Sequence, residues 1–393
     1  MRARLLLLVL ALLALPALVA GCGEDEQDAA ASREARAAAS FTETLAQARG
    51  QKVRWWMFGG DARVNRYVER FVVPAAAKLG VEVERVPVDD TASAVQRVLA
   101  ERRAGKESGG AVDLIWLNGE NFARGKQGGL WLEDWASRLP NARFLDEQDP
   151  LVRSDFGVPV DGQESPWSRA AFVFAHDRSR TPAPPRTFEE LLAYARENPG
   201  RITYPAPPDF TGSAFVRQAV QSLGETRALE LLAELKPLQF RGGETFPRSE
   251  AELSRLFGDG EVDVAMSYDP GFVANAVRRG EFPRSTRPYV FSAGTLQNMS
   301  FVTIPANAAH VAGAKVLANL LLEPRLQASK ADPDVAGIPT ALDLARLGAR
   351  DRARFGRQDA GPFTLGRFGK RLDELSADRV PALERRWKRE VLR

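Results

Sequence analysis

Histidine and cysteine are scarce in this sequence: the 393 residues include two histidines, His176 and His310, and one cysteine, Cys22. The histidines do not lie in a metal-binding spacing such as His-Glu-x-x-His, and a single cysteine excludes an intramolecular disulfide. The sequence has no Gly-x-Ser-x-Gly nucleophile elbow and no phosphate-binding P-loop. Its five tyrosines include no adjacent pair, which argues against ferric binding by paired tyrosines. Nothing singles out a carboxylate pair for acid–base catalysis, so we predict no catalytic residue, no metal site and no cofactor.

Long hydrophobic runs are scarce as well. The one such run, residues 5–20, follows Arg2 and Arg4 and ends in Val19-Ala20-Gly21 before Cys22. Its length and its small final residues are typical of a secretory signal rather than a membrane-spanning helix. The Val-Ala-Gly-Cys ending resembles the bacterial lipobox, in which the cysteine is diacylated and becomes the new N-terminus. We expect a lipoprotein signal peptide over residues 1–22 and an exported protein that faces the periplasm or cell exterior, anchored through Cys22; the alternative is a plain signal peptide with an incidental cysteine.

The segment after the signal has no aromatic residue between positions 23 and 40 and is rich in charge, alanine and serine. Such a composition cannot bury enough apolar surface to form a core element, so we predict a flexible tether over residues 23–45. The whole chain carries a formal net charge of +3, and the signal accounts for two of its arginines. The mature chain is therefore nearly balanced in charge, and nothing indicates a nucleic-acid partner.

The first part of the body alternates strand and helix patterns, which favours parallel α/β layers. Predicted strands lie at residues 52–57, 81–88 and 112–117. Asp61 and Asp90 can cap the two intervening helices, because each precedes apolar residues at helical spacing. This β-α-β-α-β order predicts a Rossmann-like half.

A second half of the same kind is predicted after Trp167. Thr187-Phe-Glu-Glu190 and Ser249-Glu-Ala-Glu252 fit capping boxes, and Asp209 begins a helix that Gly224 can close. Beyond Ala308 the pattern is mostly helical. The predicted strands of this part are residues 170–175, 202–204, 262–266, 289–292 and 300–304.

Several stretches resemble the extracellular solute-binding proteins of bacterial ABC importers. Residues 256–268, LFGDGEVDVAMSY, are similar to a recurrent helix-turn-strand of that family, which places a pocket residue just past the strand. Residues 113–118 resemble its third strand, 182–192 the opening of its second lobe, and 312–324 a late helix. Four longer runs resemble the YnjB-like branch: WWMFGGDARVNRYV, VPVDDTASAVQRVLAE, DLIWLNGENFARGKQGGLW and TYPAPPDFTGSAFVRQ. The resemblance covers residues 50–390.

This resemblance implies the type II periplasmic-binding-protein fold, an α/β architecture of two Rossmann-like lobes joined by crossover strands. We expect lobe 1 to comprise residues 46–168 and 300–345, lobe 2 residues 169–299, and a C-terminal helical segment, residues 346–393, to pack on the lobes. The implied function is that of a monomeric receptor, without enzymatic activity, that closes around a small-molecule solute. The implied partners are an ABC permease and, through it, its ATPase.

A ligand site is expected beyond the carboxyl ends of the strands, where open α/β sheets bind their ligands. The loops there combine aromatic residues with carboxylates and few cations, which suits a cation through cation–π attraction and a charged hydrogen bond. We therefore prefer a cationic or heteroaromatic solute, thiamine-like or polyamine-like. The candidate ligand-binding residues are Trp55, Trp56, Asp61, Glu120, Asn121, Trp167, Tyr204, Asp209, Thr211, Ser213, Tyr268 and Asp269.

Other interpretations of these residues remain open. Trp55 and Trp56 are adjacent on a strand and face opposite ways, so at least one is expected in the core. Asp61 and Asp209 can serve as helix caps alone. The helix start at residues 211–213 could offer free amides to an anion, so an anionic or sugar-like solute competes with the cationic one. A receptor that feeds a sensor or a cell-envelope enzyme is the alternative from another class.

Replacement of the lipobox cysteine tests the anchor. We expect Cys22→Ser to release the protein from the membrane fraction, because each buried CH₂ of an acyl chain contributes about 0.8 kcal/mol to membrane binding. Immunoblots of membrane and soluble fractions measure this. Full membrane retention of the serine variant would contradict acylation at Cys22.

Overall fold

The computed structural model describes residues 41–88, 90–356, 361–365 and 367–392. The signal peptide, Cys22 and the tether up to residue 40 lie outside these residues. Residues 41–48 are helical. Within the described part of the chain, no helix has the length and apolar character needed to cross a membrane.

The first three described strands lie close to the positions that alternation predicts. In chain order they are β1 (Lys52–Phe58), β2 (Glu82–Val88), β3 (Leu114–Leu117), β4 (Ser154–Asp155), β5 (Val158–Pro159), β6 (Glu164–Ala171), β7 (Val173–Asp177), β8 (Val264–Ser267), β9 (Thr286–Tyr289), β10 (Thr295–Thr303) and β11 (Arg371–Leu372).

Helices fill most of the connections between these strands. In chain order they are α1 (Ala62–Tyr67), α2 (Val73–Lys78), α3 (Ala92–Arg103), α4 (Glu120–Gln127), α5 (Pro150–Arg153), α6 (Phe188–Glu197), α7 (Phe210–Leu223), α8 (Glu225–Leu235), α9 (Glu250–Gly258), α10 (Phe272–Arg278), α11 (Val311–Leu321), α12 (Pro324–Ala331), α13 (Ala349–Arg352) and α14 (Val380–Glu390). A π-helical turn, Val68–Val72, joins α1 to α2.

Two sheets organise the chain. The first has the order β11-β10-β3-β1-β2, with β6 also paired to β10. Here β1 runs parallel to β2 and β3, whereas β10 runs antiparallel to β3 and β6. The second sheet has the order β8-β7-β9, and both of its pairings are antiparallel. The α/β class is therefore confirmed, with parallel strands at β1 to β3.

The expectation of parallel strands in the second half is wrong. The chain enters β7 directly from β6, with only Phe172 between them. Parallel neighbouring strands need a crossover connection, usually a helix. Strand β7 follows β6 of the first sheet without such a helix, so no β-α-β unit sets its direction.

Buried apolar side chains form two large clusters, one around each sheet. One contains Trp55, Trp167 and Phe301, and the other contains Phe174 and Leu296. We call the parts around them lobe 1 and lobe 2. The antiparallel pair of β6 and β10 runs between the clusters and connects the lobes. The residue boundaries predicted for the lobes remain predictions.

Local capping signals are confirmed at several helix starts. The side chain of Asp61 accepts from the amides of Arg63 and Val64 at the start of α1. Thr187 caps α6, and Ser249 caps α9. Capping residues can be predicted from the sequence because each one bonds to backbone amides only two or three residues further along the chain.

The strand predicted at residues 202–204 is wrong. These residues make single backbone bonds, such as the one from the Phe240 amide to the Ile202 carbonyl, instead of a ladder. Pro205, Pro207 and Pro208 follow directly, and proline lacks the amide that a continuing ladder needs.

The late part of the chain also differs from expectation. The described residues between α12 and α14 are mostly irregular rather than helical. Strand β9 ends at Tyr289, where the predicted strand begins, and β10 starts five residues before the predicted Ser300.

A lysine lies inside lobe 1 beside the crossover. The Lys330 side chain is fully buried, its Nζ donates to the Trp167 carbonyl, and it lies 5.2 Å from the centre of the Trp167 ring. Burial lowers the pKa of Lys330 well below its usual range. The Gln327 side-chain amide also donates to the Trp167 carbonyl, at 2.9 Å. Removal of the lysine therefore leaves that carbonyl with a hydrogen bond.

We expect Lys330→Met to raise the free energy of unfolding at neutral pH. The buried Lys330 loses its proton at a lower pH than an unfolded lysine, whose pKa is about 10.4. Wild-type stability therefore rises with pH between the folded and the unfolded pKa of Lys330. The methionine variant loses this dependence. Each unit of pKa depression corresponds to about 1.4 kcal/mol.

Urea unfolding between neutral pH and the unfolded pKa measures the effect, with the exposed Lys78→Met as the control. A less stable Lys330→Met with an unchanged pH slope would show instead that the lysine is charged in the folded protein.

Candidate functional site

The two lobes meet at the carboxyl ends of their strands. Lobe 1 contributes the starts of α1 and α4, and lobe 2 contributes the start of α7 and the end of β8. A third part, residues 371–392, packs against lobe 2 through Leu383 and Trp387. We call this part the C-terminal segment.

Arg63 connects the lobes directly. From the start of α1, its guanidinium forms ion pairs with Asp61 at 2.9 Å and with Asp269 of lobe 2 at 2.5 Å. It also donates to the Ala336 carbonyl at 2.9 Å. The predicted residues Asp61 and Asp269 therefore meet on one arginine, which the sequence pattern alone does not reveal.

Arg217 lies at the centre of a second network. It is 1% exposed on α7, and its guanidinium lies 2.8 Å from the carboxylate of Glu374 in the C-terminal segment. The Tyr268 hydroxyl donates to the same carboxylate at 2.5 Å. Ser213 accepts from Arg217 at 2.7 Å and donates to Glu384 at 2.6 Å. Two predicted residues, Tyr268 and Ser213, thus belong to one buried polar network.

The Arg217 guanidinium also lies between two aromatic rings. Its central carbon is 5.4 Å from the centre of the Phe156 ring of lobe 1 and 5.6 Å from that of Phe210 of lobe 2. Phe156 and Gly157 form the turn between β4 and β5, and both have positive φ, as a type I′ turn requires. The Phe210 ring is 46% exposed and lies 5.5 Å from the Tyr268 ring. These aromatic faces can bind a cation.

Glu120 and Asn121 begin α4 on the side of lobe 1. Partial burial, and then the charge of Glu384, raise the pKa of Glu120. The Asn121 amide nitrogen donates to the Thr91 hydroxyl at 3.2 Å, and its buried oxygen has no hydrogen-bond partner among the described residues. Gly119, with φ of +64°, makes the turn into the helix.

Two buried carboxyl groups lie behind this turn. Asp155 accepts from the Gly119 amide at 2.5 Å, and its other oxygen has no partner in the described part of the chain. Neither carboxyl oxygen of Glu164 has a partner there. Burial and then Glu374 raise the pKa of Asp155, and burial and then Asp155 raise that of Glu164. The pair therefore favours protonation of at least one member.

The start of α7 is already surrounded by carboxyl groups. Asp209 caps the helix and accepts from the Gly212 amide at 2.9 Å. The Thr211 hydroxyl donates to Glu250 at 2.6 Å, and Ser267 donates to the other oxygen of Glu250 at 2.7 Å. Burial raises the pKa of Glu250 to about 7. The amide and hydroxyl donors that an anion would need at this helix start therefore already donate to carboxyl groups.

Three predicted residues lie in the cores instead of at the lobe interface. Trp55 and Trp167 pack edge-to-face at 5.4 Å inside lobe 1, and Tyr204 bonds the Trp387 indole nitrogen at 2.9 Å inside lobe 2. Each is at most 1% exposed, so we do not place them at the candidate site. Trp56 is partly exposed on the opposite face of β1, as alternation requires.

Sequence reasoning missed the main charged groups of the interface, Arg217, Glu374, Glu384 and Asp155, and the aromatic ring of Phe156. Arg217 has a local signal, since it is a charged residue one turn after Ser213 on the apolar helix α7. Glu374 has none, because its partner lies 157 positions away in the chain. No cluster of three or more metal-ligating side chains occurs among the residues that the structure describes.

Comparison with known proteins agrees with this architecture. A model of the family described as "Bacterial extracellular solute-binding protein" matches residues 67–350. Protein YnjB of Escherichia coli strain K12 is 38% identical over 368 residues, which cover 89% of this chain and 93% of YnjB.

Two solved structures show the same fold at low sequence identity. The periplasmic binding protein AfuA from Actinobacillus pleuropneumoniae, with fructose-6-phosphate bound, superposes with a TM-score of 0.62 at 14% identity and covers 87% of this chain and 98% of AfuA. A periplasmic thiamin binding protein superposes with a TM-score of 0.64 at 18% identity, with 87% and 96% covered. The expected family and two-lobe fold are thus confirmed: this chain belongs to the bacterial extracellular solute-binding proteins of ABC importers.

Proposed function

We propose that this chain is a lipid-anchored receptor that closes its lobes around a small cationic or heteroaromatic solute, thiamine-like or polyamine-like, and delivers it to a membrane permease. The lobes close by motion about the β6 and β10 crossover. The chain itself catalyses no reaction. The anchor at Cys22 rests on the lipobox resemblance alone.

The excess of carboxyl groups at the lobe interface is the observation that carries this proposal. Glu120 and Glu384 lie near one buried guanidinium, Arg217, which Glu374 already neutralises, and Asp155 lies near Glu374. A cation that enters between the lobes relieves this repulsion and gains charge-assisted hydrogen bonds. The exposed Phe210 ring offers a flat face beside them.

The surroundings of α7 argue against an anionic solute. A free helix start attracts anions through its amides. Here Asp209 occupies the Gly212 amide, and Glu250 accepts the Thr211 hydroxyl. An anion would have to displace two carboxyl groups and then lie beside them, which like-charge repulsion disfavours.

The structural neighbours show that side chains, rather than the fold, select the ligand. AfuA holds a sugar phosphate, whereas the thiamin binding protein is named for a cationic heteroaromatic compound. The acidic interface of this chain supports a ligand of the second kind.

A ligand panel tests this proposal. Thermal-shift measurements on the mature chain would compare thiamine, putrescine and spermidine with fructose-6-phosphate and glucose. We expect a cationic compound to raise the melting temperature, because a ligand at 100 times its Kd stabilises the folded state by about 2.7 kcal/mol. A shift with the sugar phosphate and none with the cations would overturn the cationic assignment.

Two conservative variants locate the site. Glu120→Gln removes an exposed carboxylate, and Tyr268→Phe removes only the hydroxyl that donates to Glu374. Glu120→Gln is expected to weaken binding of the cationic ligand about tenfold or more, since a charged hydrogen bond contributes about 1.5–3 kcal/mol. Tyr268→Phe is expected to weaken binding as well, because Glu374 loses the hydroxyl that holds it at the interface.

Isothermal titration calorimetry measures the affinities, and Glu133→Gln, an exposed carboxylate without a described partner, is the matched control. Unchanged affinity in both test variants would remove these residues from the site. An equal loss in the control would mean that the attraction arises from net charge alone.

A further inference from the structure

The geometry points to a second binding site between the lobes, an arginine groove that takes the phosphate group of a small anionic molecule. Five arginines line a cavity of about 180 Å³: Arg63, Arg66, Arg70, Arg278 and Arg279. None of the residues that line this cavity belongs to the carboxyl-rich network around Arg217. This inference goes beyond the proposed function, and the site would exist whatever solute the acidic interface binds.

Both lobes build the groove. Arg63 and Arg66 lie on α1, and Arg70 on the π-helical turn that follows, all in lobe 1. Arg278 ends α10 of lobe 2, and Arg279 follows it. The cavity therefore has its full set of cations only when the lobes are together.

The charges of the groove are unevenly compensated. Arg63 pairs with Asp61 and Asp269, Arg278 with Asp334, and Arg279 with Glu281. Arg66 and Arg70 make no hydrogen bond or ion pair with any described residue. Two guanidinium groups that line the cavity thus have no ion-pair partner among the described residues, and they are four residues apart on one continuous helical stretch.

Two free guanidiniums fit a doubly charged, multidentate anion better than a halide. Arginine presents a planar fork of donors that matches phosphate oxygens bidentately. The cavity volume is several times the roughly 30 Å³ that one water occupies, which gives room for a phosphate group and the atoms attached to it. The stacked rings of Tyr67 and Phe71, 5.8 Å apart, line the cavity and offer apolar contact to those atoms.

An anion in this groove would bridge the lobes beside the Arg63–Asp269 ion pair. It would bind the closed arrangement better than the open one, and by linkage a solute that closes the lobes would raise its affinity in turn. Phosphate is thus expected to act on closure without entering the acidic interface.

Inorganic phosphate is the probe for the test, titrated against the mature chain without any other ligand. We expect millimolar phosphate to raise the melting temperature, whereas chloride at matched ionic strength does not. The double variant Arg66→Gln with Arg70→Gln should weaken phosphate binding about tenfold or more, because it removes both uncompensated charged donors. Both side chains are exposed, so the variant is expected to fold.

Arg103→Gln is the matched control, since it removes an exposed arginine at the end of another helix, α3. Phosphate also stabilises proteins by exclusion from their surface, and that effect persists in the double variant. Equal phosphate shifts in wild type and double variant, or no shift in wild type, would overturn the assignment. A loss of the same size in Arg103→Gln would also overturn it, because it would reduce the effect to net charge.

Discussion

The buried ion pair of Arg217 and Glu374 fixes the geometry on which the candidate site depends. Both side chains are almost inaccessible, at 2% and 3% exposure. Loss of one partner from a buried pair costs about 3–5 kcal/mol, because the other charge is left without compensation. The pair holds the C-terminal segment on lobe 2, and the Tyr268 hydroxyl on the same carboxylate holds the end of β8 in place. The site therefore includes Glu374, which lies 157 positions from Arg217 in the chain.

Glu374 neutralises Arg217, and further carboxyl groups lie at the same interface. Burial, followed by the charge of Glu384, raises the pKa of Glu120. Burial also raises the pKa of Asp155 and that of Glu164, with Glu374 adding to the first shift and Asp155 to the second. Under the proposed function, like charges held together in this way disfavour lobe closure until a cation enters. The same electrostatics would then supply both the selectivity for a cation and the coupling of binding to closure.

The sequence could predict those features that depend on neighbours in the chain. The strands at β1 and β2 follow from alternation, and caps such as Asp61 and Thr187 act over one helical turn. Tyr268 follows from the family resemblance, yet its partner Glu374 lies 106 positions away, and no local pattern pairs them. Alternation likewise shows that Trp55 and Trp56 face opposite ways but not which one is in the core. Which residues pair and which tryptophan is buried depends on long-range contacts. Those contacts depend on how the two lobes and the C-terminal segment pack together.

The central claim is that a cationic solute draws the two lobes together over the acidic interface. Small-angle X-ray scattering of the mature chain, with and without the tightest-binding cation, tests it most directly. The account predicts a smaller radius of gyration with the cation and no change with an uncharged compound of the same shape. An unchanged radius at saturating cation, or equal compaction by the uncharged compound, would contradict it.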